Sequence, residues 1–298
     1  MKTQTRSVIL IAAITAASCL VQAQPSAHYV PGVEGIKAGT LPPPGIYVRD
    51  YNVFYYADRL NDADGDKIAT ADPEVFIYAN VLRAIWITDQ KLLGGFVGVD
   101  ALIPITYKSI EMNTPGGTFD DSTLGVGDFF AEATLSWHTD QYDAAIGYGV
   151  FVPTGDFSAN NPTRAGLGYW THMITVGGTW YAGENRQWSV SVLNRYEINH
   201  KQDDTDVTPG QAYTLEWGIG YAASKTIEVG LVGYYQQQLT KDGNSTNDTK
   251  DKVVAIGPEV SMFCPKLGLF TSLRYNYEII AEDRLQGHTI AITLTKPL

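Results

Sequence analysis

Val253–Ile280 reads VVAIGPEVSMFCPKLGLFTSLRYNYEII. Its first arm places Val254, Ile256, Val260 and Met262 on one parity and Ala255, Gly257, Glu259 and Ser261 on the other. A tight break follows at Cys264-Pro265-Lys266. The second arm places Leu267, Leu269, Leu273, Tyr275, Tyr277 and Ile279 against Ser272, Arg274, Asn276 and Glu278. Successive side chains of a strand point to opposite faces, so this is a hairpin with one oily and one ionic face. Its arms exceed the usual globular strand. A soluble antiparallel sheet would turn the oily face inward, whereas a membrane barrel turns it toward lipid.

Outward from this hairpin the pattern recurs. Strands are expected near Ile46–Tyr56, Glu74–Thr88, Leu93–Lys108, Thr123–His138, Tyr142–Thr154 and Leu167–Tyr181. Six more are expected near Gln187–Asn199, Ala212–Ala222, Thr226–Thr240, Lys252–Phe263, Leu267–Ile280 and Gly287–Thr295. The connections alternate in length. Short ones are Asp89–Lys91, Thr139–Gln141, Ala182–Arg186, Ala223–Lys225 and Cys264–Lys266; long ones are Ala57–Asp72, Ser109–Ser122, Gly155–Ala165, Lys201–Gly210 and Lys241–Asp251. An up-and-down barrel with short periplasmic turns and long outer loops has this layout. A Greek-key sandwich does not segregate loop length to one end.

The charges choose the orientation of the faces. Asp128, Glu132, Arg195, Glu197, Glu216, Glu228, Glu259, Arg274 and Glu278 all fall on the less apolar parity. A soluble barrel would turn them to water, but a closed sheet of about twelve strands encloses more space than side chains fill. They are therefore expected to line a lumen. Trp86, Trp137, Trp180, Trp188 and Tyr221 stand near the short turns, where an interfacial girdle belongs. In Glu74–Thr88 both parities are apolar apart from Arg83, which leaves its lumen face unassigned and allows a bulge.

The chain has 298 residues and a formal charge of −11. Residues 1–23 read as a secretory signal peptide, with Lys2 and Arg6 before an apolar run and small residues at Val21-Gln22-Ala23. Without Lys2 and Arg6, 19 basic residues face 32 acidic ones, a mature charge of about −13. Such a chain does not read as a nucleic-acid binder. One cysteine, Cys264, follows the signal, so an internal disulfide is not expected. Residues 24–45 are rich in proline and glycine, which cannot sustain a ladder; they form an extended segment, either a plug in the lumen or a periplasmic tail. Residues 46–298 form the barrel.

Several short motifs occur in order along the chain. They are His28-Tyr29-x-Pro31-Gly32-x-x-Gly35-Ile36, Leu41-Pro42-Pro43-Pro44-Gly45, Gly125-x-Gly127-Asp128 and Pro153-Thr154-Gly155-Asp156 followed by Gly166-x-Gly168. Ile256-Gly257-Pro258 and Gln286-Gly287 complete the set. With these the sequence resembles the outer-membrane family named for the meta-pathway of phenol degradation. The resemblance implies an outer-membrane barrel that passes small hydrophobic or aromatic compounds. The chain departs from the aromatic ending common in such barrels, closing on Lys296-Pro297-Leu298.

Other chemistry is thinly represented. Asp62, Asp64 and Asp66 could chelate calcium, but Lys67 stands where an EF-hand loop needs glycine and Pro73 where it needs Glu. With Asp203, Asp204, Asp206, Asp242 and Asp248 they read as acidic outer loops, which could bridge divalent ions to lipopolysaccharide. The histidines at 28, 138, 172, 200 and 288 show no metal-ligand spacing, and no serine near His172 has a nucleophile context. No cofactor is expected. The expectation is an outer-membrane channel of a Gram-negative bacterium for small hydrophobic or aromatic solutes, with no chemistry on the solute. Its partners would be membrane lipid, lipopolysaccharide and the barrel-insertion machinery. Arg195 and Arg274, paired with nearby Glu residues, would give a selective passage. The alternatives are a non-conducting structural or adhesive barrel and, third, a lipid hydrolase.

Overall fold

The computed structural model describes residues 27–183, 185–245 and 248–298; the signal peptide expected at residues 1–23 lies outside them. The described chain contains β1 (Gly45–Leu60), β2 (Asp72–Leu92), β3 (Gly95–Thr114), β4 (Gly117–Val126), β5 (Phe129–His138), β6 (Tyr142–Val152) and β7 (Thr171–Ala182). It continues with β8 (Trp188–Asn199), β9 (Ala212–Ala222), β10 (Ile227–Gln238), β11 (Lys252–Cys264), β12 (Leu269–Glu282) and β13 (Leu285–Pro297). Each strand pairs antiparallel with its neighbour, and β1 pairs with both β2 and β13, as in Val53↔Ala79 and Val53↔Ala291. The ring is closed. β4 and β5 both pair with β3 and together make one wall strand, so the barrel has twelve.

Closure pairs the wall strands on both sides, which hydrocarbon demands because it offers backbone groups no hydrogen bonds; β4 pairs with β3 on one side. Strands β6 to β10 are 11 or 12 residues long, close to the roughly 9–11 residues of a tilted membrane crossing. The expected faces hold. Leu273, Tyr277, Ile279, Val260 and Met262 are exposed on the outside, while Glu259, Arg274, Asn276 and Glu278 are buried inside. Trp86, Trp180 and Trp188 are half exposed on the outer surface near the short turns.

Three details differ from expectation. The stretch Ser109–Ser122 is not a loop: β3 and β4 run on as a paired hairpin to Thr114↔Gly117. Its polar strands carry the same residue types as a loop, so composition did not separate them. Thr123–His138 is interrupted at Gly127-Asp128, and the inward parity passes from odd residues in β4 to even residues in β5. β2 pairs with β1 without a bulge from Gly45↔Ile87 to Ala57↔Val75; its irregularity against β3 lies at Ile87/Lys91, by the turn. The lumen face of β2 is Val75, Ile77, Ala79, Val81, Arg83, Ile85 and Ile87.

The oily exterior carries a polar island on β1 and β2. Asp50, on the outward parity of β1, accepts hydrogen bonds from Asn52 at 3.0 Å and Asn80 at 2.6 Å, and Tyr78 donates to Asn52 at 2.8 Å. Mutual bonding is what makes such groups tolerable beside lipid.

Candidate functional site in the barrel lumen

The lumen wall has two characters. On the β1–β3 side the inward residues are mostly apolar. Tyr47, Ile85, Ile87 and Phe96 cluster at the periplasmic end, and Tyr51, Val53, Ala79, Val81 and Ala291 cluster midway. Ala57, Val75, Ile77, Ile110 and Met112 cluster at the outer end, where Ile68 and Ala71 of the first outer loop cover them. On the β7–β12 side the inward residues are carboxylates, arginines, hydroxyls and glycines.

Residues 27–44 run through this lumen from the outer mouth to the periplasmic one. At the outer end the His28 ring reaches Thr171, the first residue of β7. At the periplasmic end the Thr40 hydroxyl meets Asp143 at 3.0 Å, Thr179 at 2.8 Å and Tyr181 at 3.2 Å, near the lower ends of β6 and β7. Leu41–Pro44 then leads to β1, and Tyr47 donates to the Pro43 carbonyl at 2.9 Å. Prolines lack an N–H and hold an extended course, so this strap needs no ladder.

An extended segment inside a barrel carries unpaired backbone N–H groups, and the wall carboxylates accept them. Glu197 accepts from the N–H of His28 at 2.7 Å and of Tyr29 at 3.0 Å. Glu216 accepts from Gly32 N–H at 2.7 Å, Glu34 N–H at 3.2 Å and the Tyr29 hydroxyl at 2.5 Å. Glu259 accepts from Ile36 N–H at 2.7 Å, and Glu228 pairs with Lys37 at 2.5 Å. Arg274 donates to the Val33 carbonyl and pairs with Glu259 at 3.1 Å. Arg195 pairs with Glu216 at 2.9 Å and lies over the Tyr29 ring, 3.9 Å from its centre.

Asp128 sits at the strand break and gathers three segments. It faces His28 Nε2 at 3.0 Å and accepts from Gly155 N–H at 2.9 Å and Leu167 N–H at 2.7 Å in the β6–β7 loop. The remaining two predicted residues belong to wall networks. Glu132 lies 3.6 Å from Arg83, and Glu278 accepts from Tyr55, Tyr234 and Gly287 N–H.

Glycines in the wall let the segment come close. A Cβ on Gly218 would stand 2.9 Å from the Gly35 carbonyl oxygen and 3.1 Å from Ile36 Cα; one on Gly177 would stand 3.0 Å from Gly39 Cα. Such distances leave no room for a side chain.

The centre of the site was missed by sequence reasoning. Glu34 accepts from Tyr51 at 2.6 Å and pairs with Arg49 at 3.2 Å and Arg83 at 3.4 Å. Arg83 in turn grips Asp100 with two bonds of 2.8 and 2.9 Å. Burial alone would push the Glu34 carboxyl up, but Arg49, Arg83 and Arg195 together hold it down at about 2. Arg83 was the available signal, since a lone cation in an apolar membrane strand needs a partner. Burial lowers the His28 imidazole below its usual range, against the bond and charge of Asp128.

The remaining predicted features lie elsewhere. Asp62 accepts from the N–H groups of Asp64 at 3.1 Å and Asp66 at 2.9 Å, an arrangement that folds the turn. Among the described residues no three His, Cys, Asp or Glu side chains gather as a metal set. His172 faces outward and bonds Tyr148 at 2.6 Å, while His138 pairs with Asp143 at 3.1 Å.

Comparison with known proteins bears on this architecture. A family profile described as "Putative MetA-pathway of phenol degradation" matches residues 57–294. An outer membrane channel from Pseudomonas putida F1 superposes with a TM-score of 0.76 at 13% identity, covering 91% of this chain and 100% of its own. The transport unit of the autotransporter AIDA-I from Escherichia coli superposes with a TM-score of 0.51 at 10% identity, covering 95% of this chain and 97% of its own. The search of curated proteins gave no match. At such identities the superpositions speak for the fold, an outer-membrane β-barrel, while the profile spans most of the chain: this protein belongs to the family described by the MetA-pathway of phenol degradation.

Proposed function

We propose that the protein is an outer-membrane channel for small hydrophobic or aromatic compounds, held closed by residues 27–44. The supporting observation is the apolar track on the inward faces of β1 and β2. It consists of three apolar clusters: Ile87 and Ile85 at the periplasmic end, Val81, Ala79 and Val53 midway, where Val33 of the segment packs, and Ile77, Val75 and Ala57 at the outer end, with Arg83 set between the first two. A lumen built only for ions has no use for such a wall. An apolar solute would move along it by trading one apolar contact for the next. The charged wall opposite, together with Arg49, Tyr51 and Arg83 on Glu34, holds the segment, and the two arginine–glutamate pairs act on selectivity through that hold. No chemistry on the solute is part of this reading.

The filled lumen also supports a second reading, a closed structural barrel. Uptake of phenol, toluene and glucose into proteoliposomes separates the two. The channel reading expects phenol and toluene to enter faster than through protein-free vesicles, glucose to be excluded, and deletion of residues 27–44 to admit glucose as well. Entry of phenol and toluene at the protein-free rate would leave the structural barrel.

A further inference from the structure

The His28 ring is held as a ligand would be. It stacks on Phe151 with ring centres 4.7 Å apart and planes 11° apart, and Tyr169 meets its other side edge-on at 4.5 Å. Phe130 backs Phe151 at 4.4 Å, and Met173, Leu102 and, from the segment, Tyr29 close the apolar rim. Both polar edges of the ring are met. Nε2 faces the Asp128 carboxylate at 3.0 Å and Nδ1 faces the Thr171 hydroxyl at 2.6 Å, which also donates to Asn199 at 2.7 Å.

Apart from His28 and Tyr29, every one of these residues belongs to the barrel wall or the β6–β7 loop. The slot is therefore made by parts that stay when the segment leaves, and it lies at the outer end of the lumen. Its shape is that of one flat ring. Its polarity is specific: a carboxylate that wants a donor on one edge, and a hydroxyl on the other that accepts, its own proton being given to Asn199. An aliphatic solute of the same size would forgo the stacking, and a plain hydrocarbon ring would leave Asp128 with its backbone bonds from Gly155 and Leu167 and no donor from the slot.

We propose that this slot is a binding site for a small hydroxylated aromatic, and that His28 is its resident stand-in. A phenolic O–H donates to Asp128 while the ring lies between Phe151 and Tyr169. A second ring substituent in the 1,3 relation would reach Thr171. Solute and His28 compete, so occupation frees the outer end of the segment. This rests on the channel reading for its purpose, but the binding itself does not require flux.

The test uses the full barrel in detergent. In His28→Gly, phenol should bind saturably and raise the melting temperature. Toluene should bind about tenfold more weakly, the size of one hydrogen bond to a carboxylate, and cyclohexanol about tenfold more weakly for want of the ring stacking. Asp128→Asn in that background should erase the preference for phenol over toluene. In the unmodified protein phenol, and not cyclohexanol, should speed hydrogen exchange at the backbone N–H groups of His28 and Tyr29. Phenol that binds His28→Gly no better than cyclohexanol overturns the proposal. So does unchanged exchange in the unmodified protein at saturating phenol, which decides the matter if His28→Gly does not fold. Aromatic flux without phenol binding removes the slot and keeps the channel; binding without flux does the reverse.

Discussion

The β1–β3 side of the lumen and the β7–β12 side are built from the same alternation yet differ in how they meet the segment. On the first, Val81, Ile85 and Val75 face inward and bind nothing polar, and the grip on the segment is concentrated at Arg49, Tyr51 and Arg83, which meet Glu34. On the second, Glu197, Glu216 and Glu259 face inward and accept backbone N–H groups from an extended segment. A charge buried in a lumen is tolerated when paired, and here the partner is the chain's own N-terminal backbone as much as an opposite charge. The difference teaches that inward polarity need not mean an aqueous passage. It can mean a mould for something that fills the passage.

The sharpest way to break this contrast is Glu216→Ala. It removes the acceptor for Gly32, Glu34 and Tyr29 and leaves Arg195 without its pair. Stranding a buried partner costs about 3–5 kcal/mol, so the segment should become protease-sensitive while the barrel keeps its heat-modifiable gel mobility. A segment that stays protected would contradict the mould. Gly218→Val attacks the same side by shape alone. Its new side chain meets Gly35 and Ile36, and overpacking of about 1–3 kcal/mol should loosen the segment less than Glu216→Ala does.

On the apolar side the expected outcome reverses. Val81→Asn should leave the segment protected and slow phenol and toluene uptake by several-fold, because an uncompensated amide interrupts the track. Equal effects of Gly218→Val and Val81→Asn on both readouts would show that the two walls are not distinct.

The smallest effect is titration. For both His28 and Glu34 the seated form holds its proton less readily than the released form, so acid weakens the seat. The contribution of His28 is full above the ordinary histidine range and declines as pH falls through about 6.5 and below. That of Glu34 is full above the ordinary carboxylate range and is lost only as pH falls toward about 2. Amide NMR signals of His28 and Tyr29 should therefore shift at milder acidity than those of Gly32 and Ile36. Simultaneous movement would mean that the segment releases as one unit.

The barrel was legible because its rule is local. Parity within Val253–Ile280 or Ala212–Ala222 needs only neighbours to be read, and it put Glu216, Glu259, Arg274 and Glu278 on the correct side. The reading failed where local contrast vanished. β2 is apolar on both faces because one meets lipid and the other forms the track, so nothing in its own residues marks the lumen. The β3–β4 hairpin above the membrane has the polarity of a loop, and Gly127-Asp128 shifts the parity within what looked like one strand.

Sequence alone thus determined the closed sheet, its strand number and the side on which each predicted charge lies, since a period of two is a property of adjacent residues. Only the tertiary structure decided what those charges hold. His28 meets Glu197 and Ile36 meets Glu259 across separations of 169 and 223 residues, and Glu34 finds Arg83 across the lumen. No local pattern encodes such encounters; they arise because closing the ring brings distant inward faces around a single confined segment.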